Sequence, residues 1–220
     1  MFAFMLEALR DWRERRMRPV ALRSAVAMAV VGGATLARPL PLALCAVVVF
    51  IFHGWKEGSS RPPDMDARSV ILAFPLRPRE IVAGKSLSAL AAWAFAALVV
   101  SPPLALADIA WGLGASALAA CFLSWLVAYF ASFSAAFLSS LVFSKSDGLP
   151  GILLLALWLG SAFFSPAWAE SNPFVQVWNI LKAEGGAAPF LGMGACVLVS
   201  AALLSATAWL FAFLRRGRDA

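Results

Sequence analysis

Of the 220 residues, 62% are hydrophobic and 14% charged, with a mean hydropathy of +0.83, whereas a soluble domain carries about 45–50% apolar and 25% charged residues. Those proportions exclude an ordinary soluble domain and leave an integral membrane protein, in which about 20 apolar residues make each helical crossing, so the length allows about six or seven. The net charge of +6 comes from basic residues placed between apolar blocks rather than along one face, so membrane topology explains it and nucleic acid is not an expected partner.

Residues 1–18 put Phe2, Met5, Leu6, Leu9 and Trp12 at helical spacings, with Glu7, Arg10, Asp11 and Glu14 opposite. This predicts an interfacial helix on the cytoplasmic leaflet; a basic tail that only fixes topology fits the same residues. Its arginines and lack of a cleavable apolar core do not read as a signal peptide. Residues 20–37 make the first crossing, and Arg38-Pro39-Leu40-Pro41 reads as the turn that ends it, because proline has no N–H to continue a helix. Residues 42–55 run back as a second crossing. It is short for a bilayer, so the hairpin either thins the membrane locally or continues past Lys56 as a polar helical end.

The connection at 59–80 is polar and proline-broken. Pro78 is placed to open the next helix as its first residue, and Glu80 to complement that helix's N-terminal dipole. A third crossing follows over 81–107, bent by Pro102-Pro103, with Asp108 and Trp111 at the outer interface. The fourth, 113–143, is too long for a perpendicular span and must tilt or protrude. It carries small residues at every fourth position: Gly112, Ser116, Ala120, Ser124, Ala128, Ser132, Ala136 and Ser140. That spacing lets helix backbones approach in lipid. The competing reading is that the segment is simply rich in small residues and that a four-residue ridge drifts around a 3.6-residue helix.

Lys145, Asp147 and Gly148-Leu149-Pro150-Gly151 make a cytoplasmic turn, and 152–164 with its flanks is the fifth crossing. The outer segment 166–189, re-entrant or interfacial, contains a short helix opening at Asn172-Pro173, with Phe174, Val177, Trp178 and Leu181 on one face. Residues 190–214 form the sixth crossing, followed by Arg215, Arg216 and Arg218. Of the 18 basic residues, only Arg38 and Lys182 fall on the outer side, so both termini are expected in the cytoplasm.

Chemistry is sparse. Gly84-Lys85-Ser86 looks like the end of a phosphate-binding loop, but that motif needs a glycine where Arg79 stands. The single histidine, His53, falls near a cytoplasmic boundary, serines without a partner base read as helix-packing groups, and Asp64 with Asp66 reads as solvated loop charge rather than a metal pair. Cys45, Cys121 and Cys196 fall in apolar blocks without metal-type spacing and read as small core residues. No crossing has a carboxylate in its middle, so no coupling ion site is expected. Neither a catalytic residue, a metal nor a cofactor is expected in this chain.

Leu72, Phe74-Pro75-Leu76, Arg77 with Arg79, Glu80-Ile81 and Gly84-Lys85 form a pattern that resembles the membrane subunits of ABC-2 type transporters. Many of these carry, between crossings two and three, a leucine-rich stretch, proline, a basic patch, a Glu-Ile or similar pair and Gly-Lys at the head of the third helix. The likeness extends loosely over the whole chain through the leading interfacial helix, six crossings, Asn172-Pro173 and the basic end. The polar lead-in is shorter on acidic residues than in many relatives, and the second crossing is short. The resemblance implies a single permease domain over 1–220: an all-α, six-helix integral membrane protein of the plasma (bacterial inner) membrane, pairing with a second copy or paralogue. It implies an exporter, driven by separate cytoplasmic ATP-binding subunits. Residues 66–76 would be the coupling helix, with Arg68, Phe74, Pro75, Leu76, Arg77, Arg79, Glu80 and Lys85 meeting the ATPase. Two alternatives stay open: these basic residues bind lipid phosphates, at about 1 kcal/mol each, or the chain is a non-transporting membrane scaffold or assembly factor. No residue pattern identifies a cargo.

Overall fold

A computed structural model describes residues 39–59, 77–142, 156, 158, 160, 169–182 and 188–219. The expected interfacial helix, first crossing, coupling segment with Arg68, Phe74, Pro75 and Leu76, the turn at 145–151 and most of the fifth crossing lie outside the described residues. Those described form α1 (Pro39–Ser59), α2 (Pro78–Trp111), α3 (Ala115–Val142), α4 (Pro173–Leu181) and α5 (Ala188–Asp219). No strand occurs among them. The segments Pro78–Trp111, Ala115–Val142 and Leu191–Leu214 are each long and apolar enough to cross a membrane, and the chain is a membrane protein on that ground.

The helix boundaries follow from local chemistry, once against expectation. Helix α1 begins at Pro39, so the Pro-Leu-Pro stretch is not a turn from that point on but the first helical turn. The first N–H groups of a helix have no intrahelical acceptor, and proline loses nothing there. The helix runs on through Lys56 to Ser59, so the polar residues after the apolar block continue it. Its 21 residues rise about 31 Å, close to the thickness of a hydrocarbon core.

Helix α2 opens with Pro78 and carries Pro102 and Pro103 inside it. Pro102 has no N–H to give to the carbonyl four residues back, and the Ser101 hydroxyl donates to that carbonyl, Leu98 O, at 2.8 Å. A hydroxyl thus replaces part of what proline removes, as membrane helices require. The helix ends at Gly112, whose φ of +64° is left-handed and whose N–H donates to Asp108 O at 2.7 Å. Gly114, with φ +82°, donates its N–H to Asp108 Oδ1 at 2.8 Å. Gly112 therefore belongs to the turn between α2 and α3, where its positive φ suits glycine, and not to the α3 ridge.

The core is organised along α3. Trp125, Tyr129 and Phe133 are fully buried on it, with Phe50 of α1 and Val177 of α4 fully buried against it. Aromatic rings follow one another down this helix: Phe122 to Trp125 at 5.1 Å, Tyr129 to Phe130 at 5.6 Å, Phe130 to Phe133 at 6.0 Å and Phe133 to Phe137 at 5.8 Å. Phe211 of α5 joins at 6.1 Å from Phe137.

Candidate functional site

Three places gather the residues with something to do. The first is the start of α2. Arg77 and Arg79 are exposed, and the Glu80 carboxylate accepts the Arg77 backbone N–H at 2.9 Å. This is half of a capping box: the carboxylate at the third helical position reaches back, while the guanidinium of Arg77 has no acceptor to offer in return. Glu80 is thereby engaged in holding the helix end, and the two arginines point their charge outward. Two turns on, Lys85 Nζ lies 5.5 Å from the Phe137 ring centre on α3, a cation–π contact between the two helices. Arg77, Arg79, Glu80 and Lys85 are thus all at one end of α2.

The second place is the seam between α1 and α3. A Cβ on Gly54 would run into Tyr129 O and Ser132 Oγ and lie 3.0 Å from Tyr129 C; one on Gly58 would meet Phe133 O, Ala136 Cβ at 2.8 Å and Phe137 N at 2.9 Å. The backbones are in contact there. Of the small-residue ridge, Ser124, Ala128, Ser132 and Ala136 are buried, Ala120 and Ser140 are half-buried, and Ser116 is exposed. The ridge is therefore a packing surface over its inner two-thirds and drifts off it towards the start of α3, as the 3.6-residue period demands. Ser132 Oγ donates to Tyr129 O at 2.8 Å, so this hydroxyl is met within its own helix. His53 and Glu57, one turn apart on α1, are also buried.

The third place is a polar knot where α4 enters the bundle. Asn172 caps α4, its side-chain oxygen accepting Phe174 N–H at 2.9 Å. Gln176 is 1% exposed. It accepts from Ser124 Oγ at 2.9 Å and donates through Nε2 to Glu170 O at 3.0 Å. Trp158 Nε1 and Cys196 Sγ both donate to Ser171 O, at 3.2 and 3.3 Å. Gly192 of α5 lets this turn approach, because a Cβ there would collide with Glu170 O. The buried side of α4 is Pro173, Gln176 and Val177. Trp178, expected on the same face as Val177, is instead 40% exposed, with Lys182 Nζ 4.6 Å over its ring. The three cysteines are free, Cys121 and Cys196 buried and Cys45 half-buried, in keeping with packing roles.

Gly54 and Gly58 were visible in the sequence as two glycines four apart, the spacing of a close helix contact. Gln176 carried a weaker signal, one amide within an apolar run.

No protein-family model, curated protein or solved structure matches the chain.

Proposed function

We propose that the chain is the membrane-spanning permease subunit of an ATP-driven transporter of the ABC-2 type, an exporter of the bacterial inner membrane with both termini cytoplasmic. In this reading it works as a dimer with a second copy or paralogue, separate cytoplasmic subunits hydrolyse ATP, and the segment 166–189 is an outer re-entrant or interfacial one. The observation that carries the proposal is the start of α2. Two exposed arginines flank a proline-opened, carboxylate-capped first turn, and the helix behind it is of membrane-crossing length. A partner gripping Arg77 and Arg79 would hold a stiff lever, not a loop. The Lys85–Phe137 contact would pass its displacement to α3.

The test is affinity purification of the tagged chain from native membranes. A co-purifying subunit with a full phosphate-binding loop is expected, and R77E/R79E should reduce its recovery at least about tenfold, since truncating or reversing charges at a desolvated charged contact costs about 2–5 kcal/mol. Recovery unchanged by the double reversal would remove the proposed contact. No ATPase in any preparation would leave the scaffold reading in its place.

A further inference from the structure

Helix α5 sends its aromatic residues two ways. Phe211 is 3% exposed and turned to Phe137 of α3, 6.1 Å away. Trp209 and Phe213, on either side of it in sequence, are 68% and 61% exposed. They stack on each other outside the bundle, their centres 5.7 Å apart and their planes at 17°. Arg216, one turn further on, is exposed as well. Spacings of four and three put Trp209, Phe213 and Arg216 on one stripe of the helix, and no ion pair engages Arg216 among the described residues.

The place of this stripe along the helix says what covers it. The membrane-length segment of α5, Leu191–Leu214, is only 17% buried within the protein, so most of it faces lipid. Arg216 follows directly on that segment, which puts its guanidinium among the headgroups. Trp209 and Phe213 lie in the last two turns of the segment, at the depth where acyl chains begin and amphipathic rings collect. Trp209 and Arg216 are about 10 Å apart along the axis, so the stripe reads rings first and cation second from the hydrocarbon outward. A phospholipid has the matching order, chain first and phosphate second.

Charge completes the match. Lys85 beside Phe137, Phe211 beside Phe137, and Gly58 against Phe133 and Ala136 put the start of α2 and the ends of α1, α3 and α5 at one end of the bundle. Among the described side chains, the exposed charges at that end are all basic: Lys56, Arg77, Arg79 and Arg216. Its acids are engaged or hidden, Glu80 holding the α2 cap and Glu57 buried. Such an end attracts lipid of net negative charge. Lys56 lies 5.6 Å from the centre of a single ring, Phe52, and offers one compact ammonium. Arg216 offers a planar fork that can take two phosphate oxygens at once, and it stands above two rings.

We propose that Trp209, Phe213 and Arg216 bind an anionic phospholipid on the lipid-facing side of α5, the Arg216 guanidinium holding the headgroup phosphate and the stacked rings carrying the upper part of an acyl chain. The site uses none of the residues of the proposed ATPase contact and does not rest on the permease reading.

The experiment uses the full chain in nanodiscs, labelled with fluorotryptophan, the Trp209 fluorine resonance being assigned by W209F. The probes are phosphatidylglycerol and phosphatidylcholine carrying the same nitroxide near the top of one acyl chain, each titrated into unlabelled phosphatidylcholine. Phosphatidylglycerol is expected to broaden the Trp209 resonance at about one-fifth of the mole fraction that phosphatidylcholine needs. R216Q should bring that preference below about twofold, while K56Q, which removes a charge elsewhere at the same end, should leave it above about threefold. Equal broadening by the two lipids would overturn the site. An equal loss of preference in R216Q and K56Q would overturn it as well, leaving only a diffuse surface charge. Broadening by neither lipid would mean that protein, such as a second copy, covers the stripe, and would also end the proposal. The comparison of the two lipids on the wild-type chain decides the matter even if a variant folds poorly.

Discussion

Helices α3 and α5 are alike in composition and unlike in surroundings. Both have a membrane-length apolar segment, yet 67% of that of α3 is buried within the protein and only 17% of that of α5. Small residues do not make the difference: Gly194, Ala195, Ala201, Ala202, Ser205 and Ala206 give α5 as small a surface as the α3 ridge, and all are exposed. What α3 has is a complementary partner. Gly54 and Gly58 on α1 meet its backbone, and Gln176 on α4 meets its Ser124. In lipid an apolar surface gains little by leaving the membrane, so close shape and satisfied polar groups decide which helices associate.

The sharpest way to break this comparison is to put a methyl group on the α1 glycines that meet α3. G54A and G58A each place a Cβ against α3 backbone atoms that no rotamer change can clear, so each should destabilise the protein by about 3 kcal/mol, the upper end of the usual overpacking range. Denaturant titration of the reconstituted protein measures it. A loss below about 1 kcal/mol in both variants would mean that the seam is not what holds α1 to α3.

The polar knot comes next in size. Q176L keeps an apolar side chain of similar bulk but removes both the bond from Ser124 and the bond to Glu170 O, and should cost about 1–3 kcal/mol. S124A removes one of the two and should cost about 1 kcal/mol. In the double variant the losses should fall short of their sum by at least about 0.5 kcal/mol, the mark of groups in direct contact. Strict additivity would show that the Ser124–Gln176 bond contributes nothing. N172A deletes the α4 cap and should cost at least about 1 kcal/mol, read in the same titration.

How far these features could be read from the sequence depends on whether their causes are local. Pro78 as the first helical residue, Glu80 beside the helix start and Asn172-Pro173 as the opening of α4 all follow from chemistry within four residues, and the structure has them. Pro39 reads as a helix breaker in sequence because it lacks an N–H, whereas the first turn of a helix has no use for that N–H. Gly112 was misplaced for a related reason: spacing put it on the ridge, but a left-handed φ can be known only from the chain's path. The burial of Gln176 depends on Ser124, 52 residues away, and periodicity within nine residues carries no information about a partner at that distance.

The smallest effect is also the one that tests α5 itself. A Cβ on Gly194 would meet nothing within 4 Å, so G194A adds a methyl to open space and removes the conformational freedom that makes glycine a poor helix residue. The expected result is a gain of about 0.5 kcal/mol, opposite in sign to G54A and G58A. That contrast places the cost of a methyl group in the partner's backbone and not in the glycine. A loss of more than about 1 kcal/mol on G194A would mean that another backbone lies against this face in the membrane. The outward stripe of α5 would then be a second seam, and the distinction between the two helices would hold only for the isolated chain.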